Sequence, residues 1–423
     1  MKILFVHQNF PAQFRHLAPA LVAQGHAVAA LHLQDLKLSE WQGVRLWRYR
    51  VIRGTTTNIH PWVCDFETKT IRADACFRAA LQLAAQGYCP DLIIAHPGWG
   101  ESLFLKEVWP EARLGIYCEF FYHPRGADVG FDPEFPPADP GDVCRLRLKN
   151  LNHLMHFQIA DGGLSPTQWQ ASTYPESFRH RINVVHDGID THALMPGPTD
   201  QPDLQLGQQL ELGLDLKLSA KDEIITFVSR DLEPYRGFHR FMRALPRLLR
   251  ERPSATVLII GHDGVSYGAP PNPALYGQRT WRQVFTDEVR PVIKDRDWSR
   301  VHFLGRLSYA HLIEVFRRST LHVYLTYPFV LSWSLLEAMS LGCTIVASDT
   351  PPVREVISAD ENGRLVDFFD TDGLVDAVCE LLQDDVARMR LGQHAREFVR
   401  LHYDLHSVCL PHQLAWVDAL ARG

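Results

Sequence analysis

With 423 residues, 46% of them hydrophobic and 22% charged, the chain is long enough for two domains of ordinary size, each with its own core. A formal net charge of −6 argues against a nucleic-acid binder working by bulk electrostatics, and eight scattered cysteines without a C-x-x-C pair suggest neither a zinc knuckle nor a disulfide framework. MKILFVHQNF turns polar too soon for a signal peptide, and no stretch reaches the ~18 apolar residues of a spanning helix, so the expected location is cytoplasmic.

Lys2 to Val6 reads as a first buried strand, Pro11 to Ala23 as the helix after it and Ala27 to Leu33 as a second strand. The loop between strand and helix, His7-Gln8-Asn9-Phe10, lacks the glycines that let a backbone approach pyrophosphate, so a nicotinamide-dinucleotide site is not expected. Asp91 to Ala95 and Leu114 to Tyr117 read as further strands, each followed by a polar and aromatic loop, His96 to Glu101 and Glu119 to His123. In a doubly wound sheet such loops gather at one edge. Aromatics beside carboxylates suit sugars, which makes Trp99, Glu119 and His123 candidates on the acceptor side, although a core aromatic and a structural histidine are plainer readings. Residues 125–142 are rich in Gly, Pro and Asp and should form an irregular excursion, and Ser165-Pro166-Thr167-Gln168 reads as a capped helix start.

Residues 197–221 read as a linker or variable insertion. Ile224 to Ser229 opens a second domain, with strands following at Thr256 to Gly261 and Val301 to Gly305, and a long loop from Gly264 to Arg279 between them. Leu321 to Leu325 is a buried strand, Tyr327 to Trp333 a loop, then a helix closed by Gly342 and a strand from Thr344 to Ser348. In this βαβ unit the amides of Ser332, Trp333 and Ser334 would open the helix, where unpaired N–H groups and the dipole favour an anion such as a phosphate. Helices follow near 371–383 and 386–401, and a last one from Leu405 to Leu420. The basic runs Arg145, Arg147, Lys149 and Arg240, Arg243, Arg247, Arg250 read as solvated helix faces, with peripheral contact at the inner membrane surface as the alternative. His311 with Glu314 is too little for a metal site.

Residues 334–349, SLLEAMSLGCTIVASD, resemble the donor-site signature of retaining glycosyltransferases of family 4, which have the GT-B fold. The resemblance implies an α/β protein of two Rossmann-like domains facing a cleft: 1–195 for the acceptor, 196–222 a linker, 223–402 for a nucleotide-sugar, and 403–423 a helix returning to the first domain. In that family a Glu-x7-Glu motif ends in the helix and its second Glu holds the ribose. Glu337 matches it, while Phe329 stands where the first Glu would hold a sugar hydroxyl. A capping box, Ser334-x-x-Glu337, is the plainer reading of Glu337. SRDLEPYRGF (229–238) resembles the family's G-R-x5-K-G motif, with Arg230 and Arg236 in the two cationic positions that bracket a diphosphate. Gly305, Arg306 and Leu307 fall where the family's backbone meets the nucleobase, and Phe329, Val330, Leu331, Ser332 and Trp333 line the donor loop. Many members carry a Gly pair in the first loop, which leaves Gln8 and Asn9 here as substitutes or as mere loop residues.

What the resemblance implies is a retaining hexosyltransferase with a nucleotide-diphosphate sugar as donor, a carbohydrate, lipid-linked or other hydroxyl acceptor, no nucleic-acid partner, no metal and no separate cofactor. Because Phe329 replaces an acidic residue, its apolar ring is expected to favour a sugar less polar at that edge, such as a deoxy sugar, unless it simply packs beneath the loop. Two further classes stay open: a GT-B sugar-nucleotide epimerase or hydrolase, and a catalytically silent nucleotide-sugar-binding partner of a transferase.

Overall fold

The computed structural model describes residues 1–137, 139–198, 203–206, 216–219 and 222–422. The chain divides into two compact units, Met1–Gly188 together with Leu405–Gly423, and Ile189–Asp404.

The first unit is built on a sheet of eight strands: β1 (Lys2–Val6), β2 (Ala27–His32), β3 (Glu40–Trp41), β4 (Val44–Arg48), β5 (Leu92–Ala95), β6 (Arg113–Tyr117), β7 (Gly162–Ser165) and β8 (Ile182–Val184). Their order is β3-β4-β2-β1-β5-β6-β7-β8, parallel throughout except for the antiparallel β3–β4 edge. The alternation of β1 explains its central place. Ile3 and Phe5 enter one core with Phe14, Leu17 and Trp416, while Leu4 and Val6 enter the other with Cys76, Ala80 and Leu114. Because β1 pairs with β2 on one side and β5 on the other, chain direction across the sheet reverses between them, and the carboxyl ends of β1 and β5 flank a topological switch point.

The helix Leu410–Arg422 covers one face of this sheet. A Cβ at Gly115 would lie 2.5 Å from Leu420 Cδ2 and 2.8 Å from Trp416 Cη2, so only glycine in β6 leaves room for the helix.

The second unit carries a short antiparallel ribbon, β9 (Leu204–Gln205) with β10 (Lys217–Leu218), and a six-stranded parallel sheet. The latter comprises β11 (Ile224–Asp231), β12 (Thr256–His262), β13 (Val301–Gly305), β14 (Leu321–Tyr324), β15 (Ile345–Ser348) and β16 (Arg364–Val366), ordered β13-β12-β11-β14-β15-β16. Here the switch point lies between β11 and β14. Part of the stretch expected as a linker falls outside the described residues, but Leu204, Leu206, Leu216 and Leu218 are buried in this unit's core. Apolar side chains at those positions hold the segment against the domain.

Two local expectations are corrected. The helix expected over Pro11 to Ala23 is a 3-10 turn, Ala12–Phe14, followed by an α-helix, Leu17–Ala23. The helix start expected at Ser165 lies two residues later, where Thr167 Oγ1 accepts the amide of Gln170, because Ser165 still belongs to β7. Among the described residues no helix is long and apolar enough to cross a membrane. The basic face of the helix Phe238–Glu251 is largely paired: Arg243 with Glu288 at 2.5 Å, and Arg247 with Glu251 at 2.7 Å and with Asp372 at 3.1 Å.

Candidate functional site

In the second unit, Arg230, Arg236 and the loop after β14 lie at the switch point between β11 and β14. β11 ends near Arg230, whose side chain is exposed. The chain then turns through Pro234–Arg236 into the helix Phe238–Glu251. Gly237 makes that turn possible twice over: its φ is +67°, and a Cβ there would meet Leu325 Cβ at 2.3 Å. Arg236, 6% exposed, is driven beneath the loop after β14. Its Nη1 donates to Thr326 Oγ1 (2.7 Å), the Val330 carbonyl (3.1 Å) and the Tyr324 hydroxyl (3.2 Å), and its guanidinium lies 5.1 Å from the Tyr267 ring centre. The two arginines expected to bracket a diphosphate therefore have different surroundings. Arg230 is open to solvent, whereas Arg236 pins the loop after β14 from below.

The loop itself is closed by small bonds. Tyr324 OH also accepts the Ser332 amide at 3.1 Å, and Ser332 Oγ accepts the Ser334 amide at 3.3 Å as N-cap of the helix Trp333–Ser340. This corrects two expectations. The cap is Ser332 rather than Ser334, and the amides of Ser332 and Ser334 have partners in the protein. What the helix start still offers an anion is the positive end of its dipole. Leu331 is buried, and Val330 and Trp333 are half-buried.

Glu337, 4% exposed on that helix, accepts a hydrogen bond from Tyr309 OH at 2.9 Å. Tyr309 begins the helix after the Gly305-Arg306-Leu307 turn, so the turn and Glu337 are joined side chain to side chain. Gly305 and Arg306 are exposed, and Leu307 packs against the core. Phe329 is 5% exposed, edge-on to Tyr235 (5.7 Å between centres) and against Tyr267 (5.0 Å). Its ring is thus the floor of a tyrosine cluster, and packing rather than an offered apolar face is what it does. Sequence reasoning missed Glu233, which is fully buried and accepts the successive amides of Ser266 (3.1 Å), Tyr267 (3.2 Å) and Gly268 (2.9 Å). It ties the 264–268 loop above Arg236. Burial pushes its carboxyl above the ordinary range, against the three amides that favour the anion.

In the first unit, the ends of β1, β5 and β6 bring His7, His96 and Glu119 together. His7 Nδ1 accepts the Asn9 amide (2.9 Å), and His96 Nδ1 accepts the Gly98 amide (3.1 Å). His96 is sandwiched between Trp99 (4.5 Å) and Tyr117 (5.5 Å), and Tyr117 OH donates to both carboxylate oxygens of Asp187 at 2.9 and 3.0 Å. His96 Nε2 lies 3.5 Å from Glu119 Oε2, and Gln13 Nε2 donates to Glu119 Oε1 at 3.2 Å. Burial, with His96 beside it, lowers the His7 pKa to about 2, so its ring is neutral. Of the expected acceptor-side residues, Trp99 and Glu119 are in this cluster. Gln8 is half-buried and Asn9 exposed; the Asn9 amide reaches His7, while the Gln8 carbonyl accepts the Leu33 amide, away from the cluster. His123 stands apart, donating through Nε2 to the Thr173 carbonyl at 2.6 Å. His7, Gln13 and His96 were missed, since nothing in their spacing marks them.

Two family models match the chain: glycosyl transferase family 4 group over residues 24–194, and glycosyl transferases group 1 over residues 215–398. Among curated proteins it is similar to D-inositol 3-phosphate glycosyltransferase of Corynebacterium glutamicum, 26% identical over 281 residues (64% of this chain and 58% of that protein). It is also similar to phosphatidyl-myo-inositol mannosyltransferase of Mycolicibacterium smegmatis, 29% identical over 185 residues (43% and 41%). The chain thus spans about half the length of the curated relatives it matches. Among solved structures, sucrose-phosphate synthase from Thermosynechococcus elongatus shares the fold with a TM-score of 0.71 at 18% identity, over 100% of both chains. Anabaena HepE in complex with UDP and glucose does so with a TM-score of 0.67 at 16% identity, over 99% of both. With its two parallel sheets and both family matches, the chain belongs to the family 4 type of glycosyltransferases with the GT-B fold.

Proposed function

We propose that the chain transfers a hexosyl group from a nucleoside-diphosphate sugar to a hydroxyl acceptor with retention of configuration. The observation that carries this reading is the pairing of roles at the β11–β14 switch point. Arg236 holds the loop after β14 from beneath, while Arg230 stays exposed near the end of β11, the strand that pairs with β14. In such a transfer the sugar–phosphate bond breaks as negative charge grows on the diphosphate, so stabilising that leaving group is the main task. An exposed arginine at ~1.5–3 kcal/mol and a helix terminus at up to ~2 kcal/mol supply roughly 2–5 kcal/mol. That is roughly 30- to 5,000-fold in rate if expressed only in the transition state. Glu337, buttressed by Tyr309, would hold the ribose. The Anabaena neighbour, whose crystal holds UDP and glucose, supports the choice of donor class.

The test is a donor-by-acceptor matrix followed by NMR of the product anomer. Transfer that needs acceptor and keeps the donor's anomeric configuration is expected. Product from donor alone would favour an epimerase or hydrolase, and an inverted anomer would remove the claim of retention. Tight nucleotide-sugar binding without turnover across many acceptors would favour a silent partner.

A further inference from the structure

The cluster at the carboxyl ends of β1, β5 and β6 is a built polar site, and its chemistry narrows what it can hold. Both imidazoles accept a backbone amide at Nδ1, so in the neutral ring the proton sits on Nε2. The ring of His7, 2% exposed, interacts with the Gln13 side chain, without a hydrogen bond of ordinary geometry at Nε2 among the described residues. His96, also 2% exposed, points its Nε2 toward Glu119 at 3.5 Å, beyond the ordinary hydrogen-bond range. The two rings meet edge to face at 5.3 Å, and the Trp99 indole lies 4.8 Å from His7 and 4.5 Å from His96. Beside these N–H donors stands an acceptor. The Glu119 side chain is 38% exposed and steadied by the Gln13 amide.

A ligand group that meets imidazole N–H donors and a carboxylate in one place must both accept and donate. A hydroxyl does both. A phosphate monoester offers mainly acceptor oxygens and brings negative charge beside Glu119, and an ammonium cannot accept from the histidines. The indole adds an apolar face of the kind on which a sugar ring lies.

We propose that this cluster is the acceptor site and that it takes an uncharged sugar or polyol hydroxyl, which donates to Glu119 and accepts from the Nε2–H of His96. His7 and Gln13 are positioning residues: Gln13 orients the carboxylate, and His7 lines the wall behind His96. The inference rests on the transfer reading, since it supplies the hydroxyl that the reaction consumes. It also separates this chain's acceptor from the phosphate-bearing ones named for its curated relatives.

The experiment uses the full chain and saturation-transfer NMR with four probes: methyl α-D-glucopyranoside and myo-inositol, and glucose 6-phosphate and inositol 1-phosphate. At least one neutral probe is expected to bind, and at least fivefold more tightly than its phosphorylated counterpart. Glu119→Gln, a half-exposed substitution that leaves the core untouched, should weaken the neutral probe tenfold or more and narrow the gap to the phosphate. His96→Phe keeps the aromatic stack and removes the N–H, and should weaken the neutral probe likewise. His96→Gln restores a donor and should recover part of the loss. Equal or tighter binding of the phosphorylated probe to the wild type overturns the proposal. So does a change below twofold in both Glu119→Gln and His96→Phe, or no binding of either neutral probe at 50 mM. UDP and GDP titrated calorimetrically into the same wild-type sample report on the transfer reading separately. Loss of nucleotide binding there would sink that reading whatever the polyols do.

Discussion

The Tyr309 hydroxyl lies 2.9 Å from Glu337 Oε1, although Tyr309 itself is half exposed and Glu337 almost wholly buried. A surface tyrosine thus orients a buried carboxylate on the neighbouring helix. Tyr309→Phe removes one donor and leaves the fold intact. Nucleotide affinity is expected to fall three- to tenfold, with a stability loss of ~1 kcal/mol. Calorimetric titration with UDP and GDP, alongside urea unfolding, checks both numbers. Unchanged affinity would detach Glu337 from the ribose.

Arg230 and Arg236 should separate chemistry from stability. Arg230→Ala removes an exposed side chain, so stability should stay within ~0.5 kcal/mol while kcat/KM falls at least tenfold. Arg236→Ala strips three acceptors of a buried donor and should cost ~2–4 kcal/mol together with activity. Arg236→Lys, which keeps a charge and three N–H donors, should retain more of both. Activity lost equally in all three variants, with no difference in urea midpoint, would contradict this division of labour.

Glu233 makes its own prediction, through the 264–268 loop. In Glu233→Ala the amides of Ser266, Tyr267 and Gly268 lose their acceptor. Hydrogen exchange at these three positions should quicken by at least tenfold, with a stability loss of ~1–3 kcal/mol. Glu233→Gln keeps one acceptor oxygen and should fall between the two. Protection that does not change would mean the loop is held by something else.

Buried histidines make the fold sensitive to acid. Burial lowers His7 to about 2, His186 and His322 to about 3, and His156 to about 4, all from an ordinary 6.5. A depressed histidine contributes stability that is present above its unfolded value and lost as pH falls toward its folded one. Unfolding should therefore take up as many as about four protons between pH 6.5 and 4, each at ~1.4 kcal/mol per pH unit at most. Urea midpoints measured from pH 7 to 4 should decline steadily, and a flat profile would show that these rings are charged in the folded state.

Glu101 works in the opposite sense. Burial raises its carboxyl above the ordinary 4.5; Tyr49 OH donates to Oε1 at 2.8 Å, and Oε2 has no partner among the described residues. Its protonated form adds stability that is fully present below 4.5 and lost as pH rises through the folded value. Glu101→Gln should raise the urea midpoint at pH 8 more than at pH 4.5. The reverse order would place a compensating cation at the carboxylate.

Strands were the most legible part of the chain. Lys2–Val6 stands where its apolar run places it, because burial on both faces leaves an unbroken hydrophobic signature. Val301–Gly305 also stands where expected, at the sheet edge, with His302 and Phe303 half-buried. Caps were less legible. Thr167 and Ser332 compete with nearby serines that have the same chemistry; Ser165 is taken up by β7, and Ser332 rather than Ser334 has the extended backbone of a cap. In the second unit the motif residues were readable, but burial assigns them their tasks: Arg236 and Phe329 face inward, and only contact geometry shows it. In the first unit Trp99 and Glu119 stood out as an aromatic and an acid in loops. His7 and His96, 89 positions apart, carry no periodicity. They meet because β1 and β5 are neighbours, a fact of strand order that no local pattern encodes.

The seat of the last helix over Gly115 and Gly162 has a consequence for synthesis on the ribosome. The first unit takes its final residues, from Leu405 onward, only after more than two hundred residues of the second have been made. At ~5–20 residues per second that interval is on the order of ten to forty seconds. During it the glycine-lined patch of β6 and β7 has no cover, while the second unit has every strand it needs. The domain translated first is therefore the one finished last, and a nascent chain released early would leave that patch open to chaperones or to other chains.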